Sequence, residues 1–215
     1  MKSKISLMIR KKILFIYPYF STFVKKDLDS LKKRAEVLPY HYKPEKQFFK
    51  FLFRFLSLHY FILINIRKTD ILFSWFSDYH SFPVVLLGRL FNKETVIIVG
   101  GNDAVSIPEI KYGIFSKKGF RQWCVRYSFK MANLILPVHK SLIKGVNYYA
   151  DKAGIGTGVK FYVKNTNAEI TEVPTGYDSE VWKKELGQEK EQSVVTTAGV
   201  KNMRSFILKG LPLFI

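Results

Sequence analysis

The residues best suited to chemistry follow a buried-type strand near the middle of the chain. Residues 96–99, Val-Ile-Ile-Val, are an uninterrupted β-branched run, which is typical of a strand covered on both faces in a parallel α/β sheet. Gly100 and Gly101 follow it, and two residues without Cβ atoms let the backbone turn sharply and let a ligand approach it. Asn102 and Asp103 then bring polar groups to the crevice beyond the strand ends, where ligands of open α/β sheets bind. The alternative is an ordinary strand-to-loop turn, because Gly-Gly and Asn are common turn residues.

The net charge favours an anionic partner. The 215-residue chain carries 35 Lys and Arg against 17 acidic residues, a formal charge of +18. A charge of that size attracts nucleic acid, an anionic membrane surface or a phosphorylated substrate. A hydrophobic content of 47% allows a sizeable core and argues against disorder. The single cysteine, Cys124, excludes an intrachain disulfide and lies in an apolar helical pattern, which indicates a small core residue.

Strands and helices alternate along the chain. Strands are predicted at residues 12–17, 37–42, 70–76, 96–99, 134–138 and 170–173, and a further strand at 194–198 begins a second unit. Helices are predicted from residue 24 to 35 and at 48–66, 79–91, 117–131 and 141–152, with a loop or lid at 155–167. Pro39 weakens the second strand and marks it as an edge strand. This alternation implies right-handed crossovers and a Rossmann-like, doubly wound parallel sheet of the α/β class.

The most apolar segment, residues 48–66, approaches the length of a membrane span. Lys50, Arg54 and Ser57 form a polar stripe at helical spacing, and charges at mid-membrane depth are costly. We therefore predict a helix packed on the sheet that does not span a membrane. The functional variant is a helix that also touches a membrane interface, with Phe and Leu facing lipid and Lys and Arg facing headgroups.

With this organisation the chain resembles family 4 glycosyltransferases, which have the two-domain GT-B fold. The likeness rests first on the opening strand, Lys-Ile-Leu-Phe-Ile-Tyr, together with the Gly-Gly loop after the central strand. It rests next on residues 172–178, Glu-Val-Pro-Thr-Gly-Tyr-Asp, which resemble the family's V-P-x-G-x-D hinge. Finally, Arg204 and Lys209-Gly210 match the family's Arg-x4-Lys-Gly spacing. The resemblance implies an N-terminal acceptor-side domain at residues 1–178, followed by a linker and the incomplete start of a donor-binding domain at 179–215.

The resemblance also implies the chemistry, which is transfer of a sugar from a nucleotide-sugar donor to an acceptor hydroxyl. Such enzymes stabilise the leaving diphosphate with Arg, Lys and helix N-termini, so we expect no metal and no cofactor besides the donor substrate. Arg204 and Lys209 would hold the diphosphate, and Asp103 or His139 would orient the hydroxyl. Asp103 also fits a helix cap or Asx-turn, which is the stronger interpretation of it. His139 fits a helix cap equally well, and the alternative for Arg204 and Lys209 is a solvated face.

Further residues are expected to line the donor and acceptor crevice: Phe20, Ser21, Gly100, Gly101, Asn102, Thr175 and Gly176. The Gly100 and Gly101 amides would help to position donor or acceptor. The chain departs from the family in two places. Many relatives have a histidine where this chain has Gly-Gly-Asn-Asp, and the family's acidic motif has no counterpart here. Most of the nucleotide-binding surface is therefore absent, and we expect this chain alone to be inactive in transfer.

The basic charge and aromatic helices suit a membrane-associated glycan or lipid-linked acceptor in cell-surface polysaccharide biosynthesis. We expect a cytoplasmic protein that is peripheral at the inner face of the membrane. The alternative is a non-catalytic basic α/β module that binds an anionic membrane surface or nucleic acid. Nucleic acid is disfavoured, because the charge is spread over several helices and no RNP-like, helix-turn-helix or zinc signature occurs. A dinucleotide-dependent oxidoreductase is excluded, because no G-x-G-x-x-G follows the first strand.

Overall fold

The computed structural model describes residues 10–148, 152–176, 179–180, 183, 200, 202–209 and 211–214. The chain divides into two compact units, Met1–Thr175 and Gly176–Ile215. The sheet and the loops that follow its strands belong to the first unit, whereas Gly176, one of the expected crevice residues, is the first residue of the second unit. The strand predicted at 194–198 lies outside the described residues.

Six parallel strands form the main sheet: β1 Lys12–Tyr17, β2 Glu36–His41, β3 Ile71–Trp75, β4 Glu94–Val99, β5 Leu134–Pro137 and β8 Glu169–Ile170. Their spatial order is β2-β1-β3-β4-β5-β8. The predicted parallel α/β sheet is confirmed. The predicted central strand is confirmed too, because β4 pairs in parallel with β3 on one side and β5 on the other. Pro39 lies in the edge strand β2, where the missing backbone N–H is tolerated.

Helices cover both faces of the sheet. Their bounds are α1 Thr22–Lys32, α2 Phe48–Asn65, α3 Ser81–Leu90, α4 Phe120–Met131, α5 Val159–Tyr162 and, in the second unit, α6 Met203–Leu208. Six short 3-10 helices are described at Ile66–Lys68, Asn102–Ala104, Pro108–Ile110, Ile114–Ser116, Lys140–Leu142 and Leu211–Phe214. The helices predicted at 24–35, 48–66, 79–91 and 117–131 therefore exist, with ends shifted by a few residues.

Alternating side chains divide the core between the two faces. On one face, Phe15, Phe73 and Trp75 pack against Val24 and Leu28 of α1. On the opposite face, the sheet packs against α2 and α3 through a cluster that holds Leu14, Ile16, Leu72, Leu58, Ile62 and Val84. A third cluster joins β4 and β5 to α4 and α5 and includes Ile97, Ile135, Val125, Phe129 and Val159. The aliphatic and aromatic strand residues found in the sequence are thus buried on both faces, as a doubly wound sheet requires.

The strand order reverses between β1 and β3. The chain runs from β1 outward to β2 and then returns to the other side of β1 to form β3. The α1 crossover lies on one face of the sheet, whereas the α2 and α3 crossovers lie on the other. At such a switch point the loops that leave neighbouring strands diverge, which opens a crevice at their carboxyl ends.

The helix predicted at 141–152 is wrong. After the single 3-10 turn at Lys140–Leu142, the chain forms β6 (Gly145–Asn147), which pairs antiparallel with β7 (Ile155–Thr157). Gly145 explains the change, because it ends the helical pattern and lies against backbone: a Cβ there would lie 2.8 Å from the Ser141 carbonyl oxygen. The predicted loop at 155–167 likewise contains β7 and α5. Of the glycines that serve close packing, Gly145 was mistaken for a helix residue and Gly156 for a loop residue.

The last strand is shorter than the predicted 170–173, although its pairing continues. β8 comprises only Glu169 and Ile170, yet the amides of Thr171 and Val173 donate to β5 carbonyls at 3.1 and 2.9 Å. The extended backbone therefore follows β5 as far as its carboxyl end.

Candidate functional site: the carboxyl edge of the sheet and the outer helical face

Asp103 closes the loop that follows β4. Its Oδ1 accepts hydrogen bonds from the Gly100 and Gly101 amides at 3.2 and 2.9 Å, and its Oδ2 accepts from the Ser77 amide at 2.9 Å. The side chain is buried, with 1% of its surface exposed. The carboxylate therefore joins the loop after β4 to the loop after β3. The two glycine amides that we expected to face donor or acceptor already bind this internal anion.

Burial and hydrogen bonding act in opposite directions on Asp103. Removal from water raises the pKa of its carboxyl to about 6, and the backbone N–H groups of Ser77, Gly101 and Gly100 oppose that rise. Asp103 lies within the 3-10 helix Asn102–Ala104, not at its cap. With both oxygens bonded to backbone, this carboxyl organises the loops that frame the crevice.

The two glycines of the β4 loop have different roles. A Cβ on Gly100 would lie 2.1 Å from Cε1 of Phe76, so the ring of Phe76 requires a glycine there. Gly101 has φ of 129°, which L side chains rarely adopt, while a Cβ on it would meet no heavy atom within 4 Å. Gly100 therefore packs against the neighbouring loop, and Gly101 borders open space in the crevice.

The loop after β3 is a polar element that sequence reasoning missed. It begins at Phe76, whose left-handed backbone (φ 64°) is supported by a 2.9 Å hydrogen bond from Ser74 Oγ to its carbonyl. Ser81 Oγ lies 3.0 Å from Ser77 Oγ and 2.9 Å from Ser128 Oγ, so buried hydroxyls connect this loop to α4. The sequence does contain a signal for this loop, because residues 77–81 are Ser-Asp-Tyr-His-Ser and directly follow a buried strand.

His80 is the most buried ionisable group of this loop. Its Nε2 lies 3.1 Å from the Trp75 carbonyl, its ring stacks on Tyr42, and its Nδ1 has no hydrogen-bond partner within the described residues. Burial lowers the pKa of His80, which favours the neutral imidazole. Beside it, Arg121 Nε donates to Asp78 Oδ1 at 2.7 Å, and this ion pair ties α4 to the loop.

His139 caps a short helix. It is exposed and precedes the 3-10 helix Lys140–Leu142, where its Nδ1 accepts from the Ser141 amide at 3.2 Å and lies 2.8 Å from Ser141 Oγ. The next amide, that of Lys140, donates to Glu172 Oε1 at 2.9 Å. His139 thus has the geometry of the cap that the sequence offered as its alternative role.

Phe20 and Ser21 lie in the loop after β1, at the switch point. Phe20 is 55% exposed and its ring contacts that of Tyr17, with centroids 5.5 Å apart. Ser21 is the N-cap of α1, and its Oγ accepts from the Val24 amide at 3.4 Å. The topology therefore brings Phe20, Ser21, the Gly100–Asp103 loop and His139 to one edge of the sheet.

The remaining candidates lie at or beyond the end of the first unit. Thr175 and Gly176 are exposed. Arg204 belongs to α6, and its side chain lies outside the described part of the structure, as does Gly210. Lys209 is exposed at the C-cap of α6, where a cation complements the helix dipole. This position agrees with the alternative interpretation of Lys209, a residue on a solvated face. Among the residues that the structure describes, no group of three or more His, Cys, Asp or Glu could hold a metal ion.

The outward face of α2 is apolar along its whole length. Phe49, Phe53 and Tyr60 are 82%, 70% and 67% exposed, and Leu56 and Ile64 are more than half exposed. The opposite stripe, with Leu58 and Ile62, is fully buried against the sheet. Helical geometry puts the predicted polar stripe of Lys50, Arg54 and Ser57 on the flank between these two faces. The surface of α2 farthest from the sheet is therefore apolar.

By length and composition, this helix qualifies as a membrane-crossing segment. The span runs from Phe48 to Lys68, has a mean hydropathy of 1.4 and is only 17% buried. It is the one such helix in the described part of the chain. The predicted helix is confirmed. That it does not span a membrane stays a prediction.

Rings connect α2 to α4 across α3. Phe55 of α2 contacts Phe82 of α3 and Phe120 of α4, with ring centroids 6.3 Å apart in both pairs. Phe82 in turn contacts Trp123 and Tyr127 of α4, at 5.1 Å each. The aromatic surface is therefore continuous over three helices on one side of the sheet.

Comparison with known proteins adds no assignment. No model of a protein family matches the sequence, and no curated protein matches it significantly. The likeness to glycosyltransferases consequently rests on the motifs quoted above.

Proposed function

We propose that this chain is the acceptor-side portion of a family 4-like, GT-B glycosyltransferase that works at an anionic membrane surface. It would take part in transferring a sugar from a nucleotide-sugar donor to a membrane-associated glycan or lipid-linked acceptor. The observation that carries the proposal is the position of the apolar surface of α2, which begins at the same edge of the sheet as the candidate crevice.

Two contacts support this juxtaposition. The ring of Phe51, in the first turn of α2, lies 4.7 Å from that of Tyr79, which belongs to the loop after β3. Phe120, at the start of α4, also contacts Tyr79, at 5.9 Å. Helices that follow parallel strands run antiparallel to them, so the N-terminal ends of α2 and α4 both lie at the carboxyl edge. An acceptor carried on a lipid would reach the crevice there without leaving the interface.

The charges around this surface suit the same role. Neither α2 nor α4 contains an acidic residue, and Lys46, Lys50, Lys117 and Lys118 surround their first turns. An interfacial helix of this kind combines apolar burial with attraction to anionic headgroups.

In the crevice, the open space beside Gly101 is the room available to an acceptor. Arg204 and Lys209 remain the residues that the resemblance assigns to the donor diphosphate.

A membrane-binding module without catalysis is the second candidate. One observation favours it: Asp103 occupies the Gly100 and Gly101 amides, which a donor or acceptor would otherwise use. Both candidate functions include binding to a membrane surface, and they differ in whether the crevice binds an acceptor.

Photo-crosslinking tests the proposal at the crevice. A polyprenyl diphosphate with a photoreactive group near the diphosphate, presented in vesicles, should label residues 19–21 and 100–102. Unlabelled polyprenyl diphosphate should compete, whereas polyprenol without phosphate should not. Labelling confined to α2, or equal competition by polyprenol, would favour the non-catalytic module.

Donor binding tests the same proposal from the other side. Calorimetric titration with a panel of nucleotide sugars, together with a transfer assay, should give no turnover with this chain alone, because positioning and diphosphate stabilisation both need the donor-binding half. Micromolar donor binding with turnover would show that this half is not needed, and the family assignment would then be wrong.

A further inference from the structure

A groove on the outer side of α4 combines aromatic rings with two cations. It has a volume of about 360 Å³ and is lined by Trp123, Arg126, Tyr127, Lys130, Tyr162 and Val163. It lies between α4 and α5, next to the aromatic surface that connects α4 to α2. None of the roles discussed so far uses it.

Its main cation is held in place. Arg126 donates from Nη1 to the Tyr162 carbonyl, and its guanidinium carbon lies 5.2 Å from the centroid of the Phe115 ring. Phe115 stacks on Tyr162 with centroids 3.8 Å apart, and the Tyr162 hydroxyl donates to the Gly156 carbonyl at 3.2 Å. One side of the guanidinium is thereby fixed by protein, so little ordering of Arg126 is needed when a ligand binds.

The charge of the groove is not neutralised by its surroundings. Lys130 lies one helical turn after Arg126, and neither makes an ion pair with any residue that the structure describes. The sequence contains no acidic residue from position 110 to 148 or from 152 to 168. Arginine and lysine bind phosphate well, and the half-exposed Trp123 is of the type enriched where a protein meets the lipid headgroups.

We propose that the groove between α4 and α5 binds the phosphate of an anionic phospholipid headgroup while α2 and α4 contact the bilayer. The inference rests on the proposed function only in taking the aromatic surface of α2, α3 and α4 as the membrane side. It adds a specific headgroup site to that surface, and it does not depend on glycosyl transfer.

Vesicle binding of the whole chain tests the site. Affinity for phosphatidylglycerol vesicles should fall roughly fivefold for each cation removed, hence about 25-fold in Arg126→Gln/Lys130→Gln, while affinity for phosphatidylcholine vesicles stays unchanged. The matched control is Lys32→Gln/Lys33→Gln, which removes the same charge at the end of α1 on the other side of the sheet and should change affinity less than about twofold. Arg126→Lys/Lys130→Arg keeps both charges and should retain most of the binding.

Three results would overturn the proposal. The first is an equal loss in the α1 control, which would indicate a general effect of charge. The second is an equal loss in the charge-retaining variant with unchanged thermal unfolding, which would show that the two positive charges do not determine the binding. The third is binding of soluble glycerol 3-phosphate to the groove without any preference for phosphatidylglycerol vesicles, which would make a free phosphate compound the ligand. Crevice labelling and donor binding are separate readouts, so failure of the transferase proposal would be recognised independently.

Discussion

The carboxyl-edge loops and the outer face of α2 differ in which side chains they bury and which they expose. At the loops, polar groups lie inside: Asp103, Ser77, Ser81 and Ser128 are buried and bonded to one another or to backbone. On α2, large apolar side chains lie outside, and Phe49 is 82% exposed. Buried polar groups that are fully bonded define one conformation, whereas an exposed apolar surface indicates a partner that the chain alone does not supply. The first region holds the loops of the sheet together, and the second is the surface that we propose to contact a membrane.

Substitutions on the two sides of α2 give the largest expected contrast. Leu58→Ala should lower the free energy of unfolding by about 2 to 5 kcal/mol, because Leu58 is fully buried and the change leaves a cavity. Phe53→Ala, at 70% exposure, should change it by less than about 0.5 kcal/mol but weaken binding to anionic vesicles. Urea unfolding and vesicle sedimentation measure the two quantities. A large stability loss in Phe53→Ala would mean that this face has an internal partner.

Removing the Asp103 carboxylate tests whether the carboxyl edge is held together from within. Asp103→Ala should lower the free energy of unfolding by about 2 to 4 kcal/mol, because it leaves the Ser77, Gly100 and Gly101 amides without their acceptor. Urea unfolding is the measurement, and the exposed Asp29→Ala is the matched carboxylate control, which should leave the unfolding midpoint nearly unchanged. Equal effects of the two substitutions would contradict the role assigned to Asp103.

The two adjacent glycines offer a smaller, internal comparison. Gly100→Ala should lower the free energy of unfolding by about 1 to 3 kcal/mol through its clash with Phe76. Gly101→Ala should lower it by about 1 kcal/mol, because strain at positive φ is its only penalty. Adding Phe76→Leu should relieve part of the first effect and none of the second. Rescue of both variants, or of neither, in the unfolding measurements would refute this distinction.

The last expected effect is a pH dependence of stability that belongs to Asp103. Burial raises its pKa from an ordinary 3.8 to about 6, so the folded state holds the proton more strongly than the unfolded state does. The corresponding stability is fully present below about pH 4 and is lost as pH rises to about 6. The difference in unfolding free energy between the native chain and Asp103→Asn should therefore shrink by about 1 to 3 kcal/mol over that interval. A difference that grows with pH would mean that the N–H donors outweigh burial.

The sheet was predictable from the sequence because its strands are uniformly apolar runs. Residues 96–99 indicated a strand with neighbours on both faces, and the structure has it between β3 and β5. The β6–β7 hairpin was missed, because Gly145 and Gly156 are required by close approaches to Ser141, Thr157 and Phe161 that only the folded backbone reveals. A Cβ on Gly156 would lie 2.1 Å from the Phe161 ring.

The candidate site was predicted in position but not in detail. The Gly-Gly-Asn-Asp loop does lie at the carboxyl edge, yet its amides bind Asp103, a choice that only the folded backbone reveals. The loop after β3 was missed because Ser77 and Ser81 resemble turn residues until α4 brings Ser128 beside them. The polar stripe of α2 was identified correctly, but which face lies outermost depends on how the helix packs on the sheet.

The most direct test of this account is the depth of α2 at a membrane. Spin labels on single cysteines at position 53 of α2 and position 23 of α1, in a Cys124→Ala background, can be compared with and without phosphatidylglycerol vesicles. The two sites are both exposed in the chain, at 70% and 49%, and lie on opposite sides of the sheet. With vesicles, the label at position 53 should become accessible to oxygen and protected from a water-soluble nickel complex, while the label at position 23 stays accessible to the complex. Equal accessibility of both labels to the nickel complex would contradict the account.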